Sequence, residues 1–285
     1  MFREIAIIAP GAMGSAVARR LTDHGVRVIT VLEGRSAGTR SRAEAAGMIG
    51  VEMQRIAEAD VILSIVPPAQ AVVLAVELAP FLRSNVHRPI FVDCNAIDVR
   101  TVQRVGDIVT ASGARFADAA IIGFPPVPDA VGPTFYFSGE PARELGGLAE
   151  FGLNARIIEG PVGAASALKM SYAGINKGLT GIAAAMVLAA GRAGATVALR
   201  EELQASQPQL LERLTTTLPD MYPKAYRWVA EMREIAAFAS DSPATARLYE
   251  ALGDFFESIA TDYQGQRIEI ATIDGFLAGS TSQEK

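Results

Sequence analysis

The stretch Ile5-Ala6-Ile7-Ile8-Ala9-Pro10-Gly11-Ala12-Met13-Gly14 decides how the first half of this chain folds. Its opening residues are apolar and rich in isoleucine, the pattern of a strand covered on both faces. Met13, Val17 and Leu21 then recur every fourth position until Gly25, which predicts a helix ended by a glycine. Strand, glycine turn and helix in that order leave unpaired backbone N–H groups at a helix N-terminus, where a pyrophosphate can sit. In this pattern Gly11 gives phosphates access to the backbone, and Gly14 lets helix and sheet pack closely. Pro10, Gly11, Ala12, Met13 and Gly14 are therefore candidate dinucleotide-binding residues. Ala9 stands where the usual fingerprint has its first glycine. That departure matters only if the turn needs a positive φ, and Pro10 biases Ala9 toward extended backbone.

Outward from this loop, short apolar runs alternate with helical stretches. Val26 to Leu32, Val61 to Val66, Ile90 to Val92 and Phe116 to Ile122 are the next strand candidates, followed by Thr134 to Phe137 and Arg156 to Ile158. The spacing is that of βαβ units. It predicts an N-terminal Rossmann domain with a mainly parallel doubly wound sheet over residues 1–160. From Gly163 onward the pattern is helical: one long apolar helix to about Arg192, then Pro208 to Leu218, Pro223 to Phe238 and Thr245 to Tyr263. Residues 161–285 are thus expected to form an all-α C-terminal domain.

Composition narrows the function classes. With 285 residues, half of them hydrophobic and a fifth charged, the chain can bury two sizeable cores. The net charge is -5 and the basic residues are scattered, which argues against nucleic acid as a partner. Cys94 is the only cysteine, so no intrachain disulfide or cysteine-based metal cluster forms; a cytoplasmic setting and no metal are expected. The N-terminus lacks the pattern of a secretory leader. Gly178 to Leu199 has the length of a membrane span, but Arg192 interrupts it and Ala and Gly dominate, so it reads as a buried helix.

The end of the second strand carries conflicting signals about the cofactor. Glu33 lies near the offset at which an acid binds the ribose diol of NAD, whereas Arg35, Ser36 and Arg40 can cradle the 2′-phosphate of NADP. Two arginines and a hydroxyl on one loop favour NADP, with NAD as the alternative.

Five segments together resemble the β-hydroxyacid dehydrogenases and 6-phosphogluconate dehydrogenases. They are Met13-Gly14 in the glycine loop, Ala59-Asp60 to Pro67-Pro68, Asp93-Cys94-Asn95-Ala96, Asp118-Ala119-Ala120-Ile121-Ile122-Gly123, and Gly163-Ala164-Ala165-Ser166-Ala167-Leu168-Lys169. The resemblance spans the chain and implies that Lys169 acts on the substrate hydroxyl or carbonyl. It also implies that Val66, Pro67 and Asn95 contact the cofactor, and that Asn95, Ile122, Gly123 and Lys169 contact the substrate. A lysine suits the chemistry: hydride transfer builds or removes charge on a carbinol oxygen, which a positioned ammonium stabilises and protonates. Its apolar neighbours Ala165, Leu168, Met170 and Ala173 should lower its pKa.

The departures matter as well. Ala173 stands where the β-hydroxyacid dehydrogenases have an asparagine, and Tyr172, Ala173 and Asn176 replace the histidine, asparagine and glutamate of the 6-phosphogluconate dehydrogenases. Asn176, seven residues after Lys169 and nearly on its helix face, is the candidate to supply the missing amide. Phe124-Pro125-Pro126-Val127-Pro128 replaces the second glycine and polar stretch that usually hold a substrate carboxylate. The expectation is an NADP-dependent dehydrogenase or reductase acting on a small hydroxy acid or related carbonyl compound, forming a homodimer through its C-terminal helices. The rival reading is a nicotinamide-binding sensor without turnover.

Overall fold

The computed structural model describes residues 2–126 and 131–279; Val127 and Pro128 of the proline-rich segment, and the tail from residue 280, lie outside the described residues. The chain divides into two compact units, Met1–Lys169 and Met170–Lys285. The division falls inside a helix that the sequence reading assigned wholly to the second domain by placing the boundary at residue 160.

Among the described residues of the first unit, eight strands form one sheet: β1 (Glu4–Ile8), β2 (Arg27–Val31), β3 (Ile49–Val51), β4 (Val61–Ser64), β5 (Ile90–Asp93), β6 (Arg115–Ile122), β7 (Thr134–Ser138) and β8 (Asn154–Ile157). Their order is β3-β2-β1-β4-β5-β6-β7-β8. All neighbours run parallel except β7, which is antiparallel to β6. The order reverses between β1 and β4, and such a switch point opens a ligand crevice outside the carboxyl ends of the strands.

Helices α1 (Ala12–Asp23), α2 (Ala37–Ala45), α3 (Met53–Ile56), α4 (Ala71–Ser84), α5 (Val99–Ala111) and α6 (Ala142–Leu145) connect the strands. Because side chains alternate along a strand, each face of the sheet builds its own core. Ile5, Ile7, Leu63, Val92, Ala117 and Phe135 pack with Val17 and Leu21 of α1 on one face. Ala6, Ile8, Ile62, Phe91 and Phe116 pack with Leu74 and Leu78 of α4 and with Val102 and Val105 of α5 on the other.

The remaining helices are α7 (Ala164–Arg192), α8 (Thr196–Ser206), α9 (Pro208–Met221), α10 (Ala225–Phe238), α11 (Pro243–Gln264) and α12 (Ile268–Ala278). In the second unit Met170, Val187 and Leu188 of α7 join Leu214, Trp228, Phe256 and Phe276 in one core. The Trp228 and Phe256 rings meet edge to face at 5.2 Å, a geometry that adds to their burial. Helix α7 is long and apolar enough to cross a membrane by length and composition; its buried residues instead form the spine of this core. The cation- and aromatic-rich segment from Tyr222 to Trp228 serves packing: Tyr222 is buried with its hydroxyl donating to Asp274 at 2.9 Å, and Lys224 pairs with Asp220.

Three elements escaped the sequence reading, each for a local reason. Strand β3 is a three-residue edge strand with Gly50 at its centre, too short for a period and poor in strand propensity. Helix α8 buries none of its residues fully and packs on the second core only through the pair Leu199 and Leu203, too short an apolar stripe to stand out. Helix α12 is rich in isoleucine, which favours strands, and buries Ile270, Ile273 and Phe276 only in the context of the other helices.

Candidate active site

The glycine loop joins β1 to α1 at the switch point. Gly11 is the N-cap residue of α1 and no side chain caps the helix, so no side chain takes up its first-turn N–H groups. A Cβ at Gly11 would meet nothing within 4 Å. At Gly14 the opposite holds: a Cβ would lie 2.1 Å from the Ala9 carbonyl oxygen. One glycine keeps space open in front of the loop and the other removes the atom that would push α1 off β1. This is the cradle a pyrophosphate needs, and the residues present fit a dinucleotide. Ala9 has no positive φ, which among the described non-glycine residues occurs at Arg267, so the missing first glycine is no obstacle.

The loop after β2 is exposed. Gly34 turns it at φ +67°, Ser36 caps α2 by accepting from Thr39 N at 3.3 Å, and Arg40 Nε donates to the Arg35 carbonyl at 3.1 Å. That bond draws the two arginines onto one short segment, with Glu33 beside it. After β4, Val66 is half-buried and Pro67 exposed at the carboxyl end of the sheet. Val66 N donates to Asn95 Oδ1 at 2.7 Å.

Asn95 is buried and its amide is engaged by the protein. Nδ2 donates to Ser64 Oγ at 2.9 Å and to Asp93 Oδ2 at 2.8 Å, while its backbone N donates to Asp93 Oδ1 at 2.9 Å. With both amide hydrogens committed, Asn95 can contact a ligand through the remaining lone pair of Oδ1. Its evident work is to tie the carboxyl ends of β4 and β5 together.

The pairing register places four polar side chains side by side. Ser64 pairs with Asp93, Asp93 with Asp118, and Asp118 with Ser138, across β4, β5, β6 and β7. All four are fully buried. Asp118 accepts from Ser166 Oγ at 2.7 Å, Ser166 N at 2.9 Å, Gly163 N at 3.1 Å and Ser138 Oγ at 3.3 Å, and Ala165 N donates to Ser138 Oγ at 3.0 Å. These acceptors satisfy N–H groups that a helix start leaves orphaned, so they anchor the beginning of α7 to the sheet.

Lys169 follows Ser166 by three residues, which puts it one turn on and on the same side of α7. Its side chain is half-buried and within electrostatic reach of Asp93, Cys94 and Asp118. Burial holds the Lys169 ammonium below the ordinary lysine range, against the pull of the two carboxylates. Burial likewise raises Asp118, takes the Cys94 thiol well up, and pushes Asp93 to about 7. The sequence reading singled out Lys169 but gave no role to Asp93, Ser64, Ser138 or Ser166. A polar residue closing each of the apolar runs Val61-Ile62-Leu63-Ser64 and Ile90-Phe91-Val92-Asp93 was the available signal.

Ile122 and Gly123 end β6; Gly123 has φ +127°, where a Cβ would also come within 3.0 Å of Pro133 Cα. Asn176 lies in the second unit, where Nδ2 donates to the Tyr172 carbonyl at 2.8 Å and Oδ1 accepts from Arg213 Nη2 at 2.6 Å.

Comparison with known proteins accords with this geometry. Residues 4–142 match the NAD binding domain of 6-phosphogluconate dehydrogenase, and residues 190–259 match a domain of unknown function, DUF1932. The conserved protein MTH1747 of unknown function, whose structure reveals similarity with 3-hydroxyacid dehydrogenases, is 26% identical over 91% of this chain and 99% of its own, with a TM-score of 0.77. The 3-hydroxyisobutyrate dehydrogenase of Mycobacterium tuberculosis, solved with L-serine, is 19% identical over 92% and 95%, with a TM-score of 0.73. An imine reductase of Myxococcus stipitatus in complex with NADP+ is 16% identical over 96% and 99%, with a TM-score of 0.56. The fold is thus one shared by a 3-hydroxyisobutyrate dehydrogenase and an imine reductase. The chain is similar to the NAD binding domain of 6-phosphogluconate dehydrogenase over residues 4–142 and to DUF1932 over residues 190–259.

Proposed function

We propose that this chain is an NADP-dependent oxidoreductase that transfers hydride between nicotinamide and a small hydroxy acid or related carbonyl compound, with Lys169 as its catalytic group. The observation that carries this reading is the placement of Lys169. Ser166 and Asp118 pin the start of α7 level with the carboxyl ends of β4 and β5, the end of the sheet where the glycine loop lies. Bound nicotinamide supplies or takes the hydride. Lys169 then gives a proton to the forming alkoxide, or takes one from the hydroxyl in the reverse direction. Gly123 lets substrate approach the backbone, and Ile122 lines the same strand end. A cytoplasmic setting accords with the one buried cysteine. The test is turnover of NADPH on a panel of 3-oxo acids, semialdehydes and cyclic imines. Tight NADPH binding with no turnover on any of them rejects the reading in favour of a sensor.

The preference for NADP rests on Arg35, Ser36 and Arg40. Arg35→Ala is expected to raise the NADPH dissociation constant by roughly tenfold or more, the loss of one or two charge-assisted hydrogen bonds, and to leave NADH nearly unaffected. Fluorescence titration with both cofactors checks it, and equal weakening of the two rejects the assignment.

The same reading includes a homodimer built on α7. Tyr172, Ile175, Leu179, Ile182 and Met186 alternate at three- and four-residue steps and are 45–61% exposed. The five form one uncharged stripe of coiled-coil spacing. It is self-complementary: antiparallel pairing about Leu179 sets Ile175 near Ile182 and Tyr172 near Met186 of the other copy, as an isologous interface requires. Leu179→Glu should convert a dimer to monomer in sedimentation experiments without loss of helix content. A monomeric wild type at all concentrations overturns it.

A further inference from the structure

We infer that Asp93 is a positioning residue for Lys169: with Asp118, its neighbour across β5 and β6, it forms a buried carboxylate pair that holds the Lys169 ammonium and sets its charge. This rests on the reading of Lys169 as the group facing the reacting oxygen.

The sheet supplies the geometry. On the face that carries the in-register row Ile62, Phe91, Phe116, the next row along the strands is Ser64, Asp93, Asp118, Ser138. Residues two apart on a strand share a face, so this polar row continues an apolar one. Polar side chains cost free energy there unless each is satisfied. Three of the four are accounted for by structure: Ser64 accepts from Asn95, Ser138 accepts from Ala165, and Asp118 receives four bonds, three from the start of α7 and one from Ser138. Asp93 is different. Its bonds come only from Asn95, one to each oxygen, among the described residues. Half of its acceptor capacity remains.

Two fully buried carboxylates on adjacent paired positions repel each other when both are charged, and need a cation nearby. Asp118 pairs with Asp93 in the register and anchors the start of α7 through Ser166, one turn before Lys169; Asp118, Lys169 and the Cys94 thiol are the titratable groups close enough to act on Asp93 through space. Lys169 is the only cation among them. Asp118 spends its acceptors on the helix start, which fixes where Lys169 emerges; Asp93 is the carboxylate with lone pairs left for the ammonium. The division of labour is that Asp118 sets position through the backbone, and Asp93 sets charge through space.

Competitive labelling with acetic anhydride, read by mass spectrometry on the peptide containing Lys169, tests this without requiring catalysis. In Asp93→Asn the midpoint of Lys169 labelling should fall by about 1–3 pH units, the effect of removing a neighbouring opposite charge. Lys224, paired with Asp220, serves as the unmoved internal reference. Superimposable Lys169 profiles in wild type and Asp93→Asn overturn the inference. If Asp93→Asn does not fold, the reciprocal measurement decides. In Lys169→Met labelled with 13C-aspartate, the Asp93 carboxyl should titrate about 1 unit or more higher than in wild type, and an unchanged titration overturns it. A shifted midpoint in a protein that turns over nothing keeps the charge coupling and rejects the catalytic reading. An unshifted midpoint in an active enzyme does the reverse.

Discussion

Lys169→Met is expected to lower kcat for carbonyl reduction by about 10²- to 10⁴-fold, the usual contribution of a positioned general acid, while the NADPH dissociation constant stays near its wild-type value. The separation follows from where the groups lie. In the proposed reading the cofactor is held by the turn between β1 and α1 and by the loop after β2, whereas Lys169 is within electrostatic reach of Asp93 and Asp118, whose strands carry neither loop. Methionine keeps the length and apolar contacts of the stem and removes only the charge and the proton. Single-turnover kinetics with bound NADPH, followed at the nicotinamide absorbance, isolates the chemical step. Full activity in the variant rejects Lys169 as catalytic. The pH dependence has a definite sign. Burial lowers the Lys169 pKa, so the wild-type reduction rate, which needs the ammonium, should fall above a midpoint lying below the ordinary lysine range. The oxidation rate, which needs the free amine, should rise through the same midpoint. Lys169→Met should lose both limbs.

Gly14→Ala should be the most damaging substitution in the glycine loop. The added Cβ would lie 2.1 Å from the Ala9 oxygen, 3.2 Å from the Ala9 carbonyl carbon and 3.4 Å from Ile7 Cγ2. Two of those atoms are backbone at the end of a central strand and cannot swing aside. Helix α1 must therefore move away from β1. Overpacking of this kind costs about 1–3 kcal/mol or more, and it carries the first-turn N–H groups away from the phosphates. A lowered melting temperature together with an NADPH dissociation constant raised on the order of tenfold or more is the expected pair of results. Gly11→Ala separates the two effects. A Cβ there meets nothing in the protein, so the melting temperature should hold while NADPH binding weakens. Equal destabilisation by both substitutions contradicts the distinct roles assigned to the two glycines.

The parallel sheet, the glycine loop and the long helix α7 were legible because each is written in consecutive residues. Nearly continuous apolar runs such as Ile5 to Ile8 and Val61 to Leu63 can satisfy their backbone only inside a covered sheet. What stayed hidden had no local period: the three-residue β3, the shallowly packed α8, and α12 with its isoleucines. The candidate site was legible in part for the same reason. Lys169 stands out as a cation among small apolar neighbours. Asn95, read as a ligand contact, also ties Val66 and Ser64 to the end of β5, and these partners 29 and 31 residues away leave no trace in the adjacent sequence.

The dinucleotide loop is thus the part of this protein that sequence alone determined. A strand, two glycines with different steric duties and a helix start occupy ten consecutive residues, and the chemistry of phosphate binding is carried by their backbone. The tertiary structure alone decided the company Lys169 keeps. Ser64, Asp93, Asp118 and Ser138 become neighbours only when four strands pair in one register. Register is set by long-range packing of both faces of the sheet, and a shift of one residue would turn every one of those side chains to the opposite face.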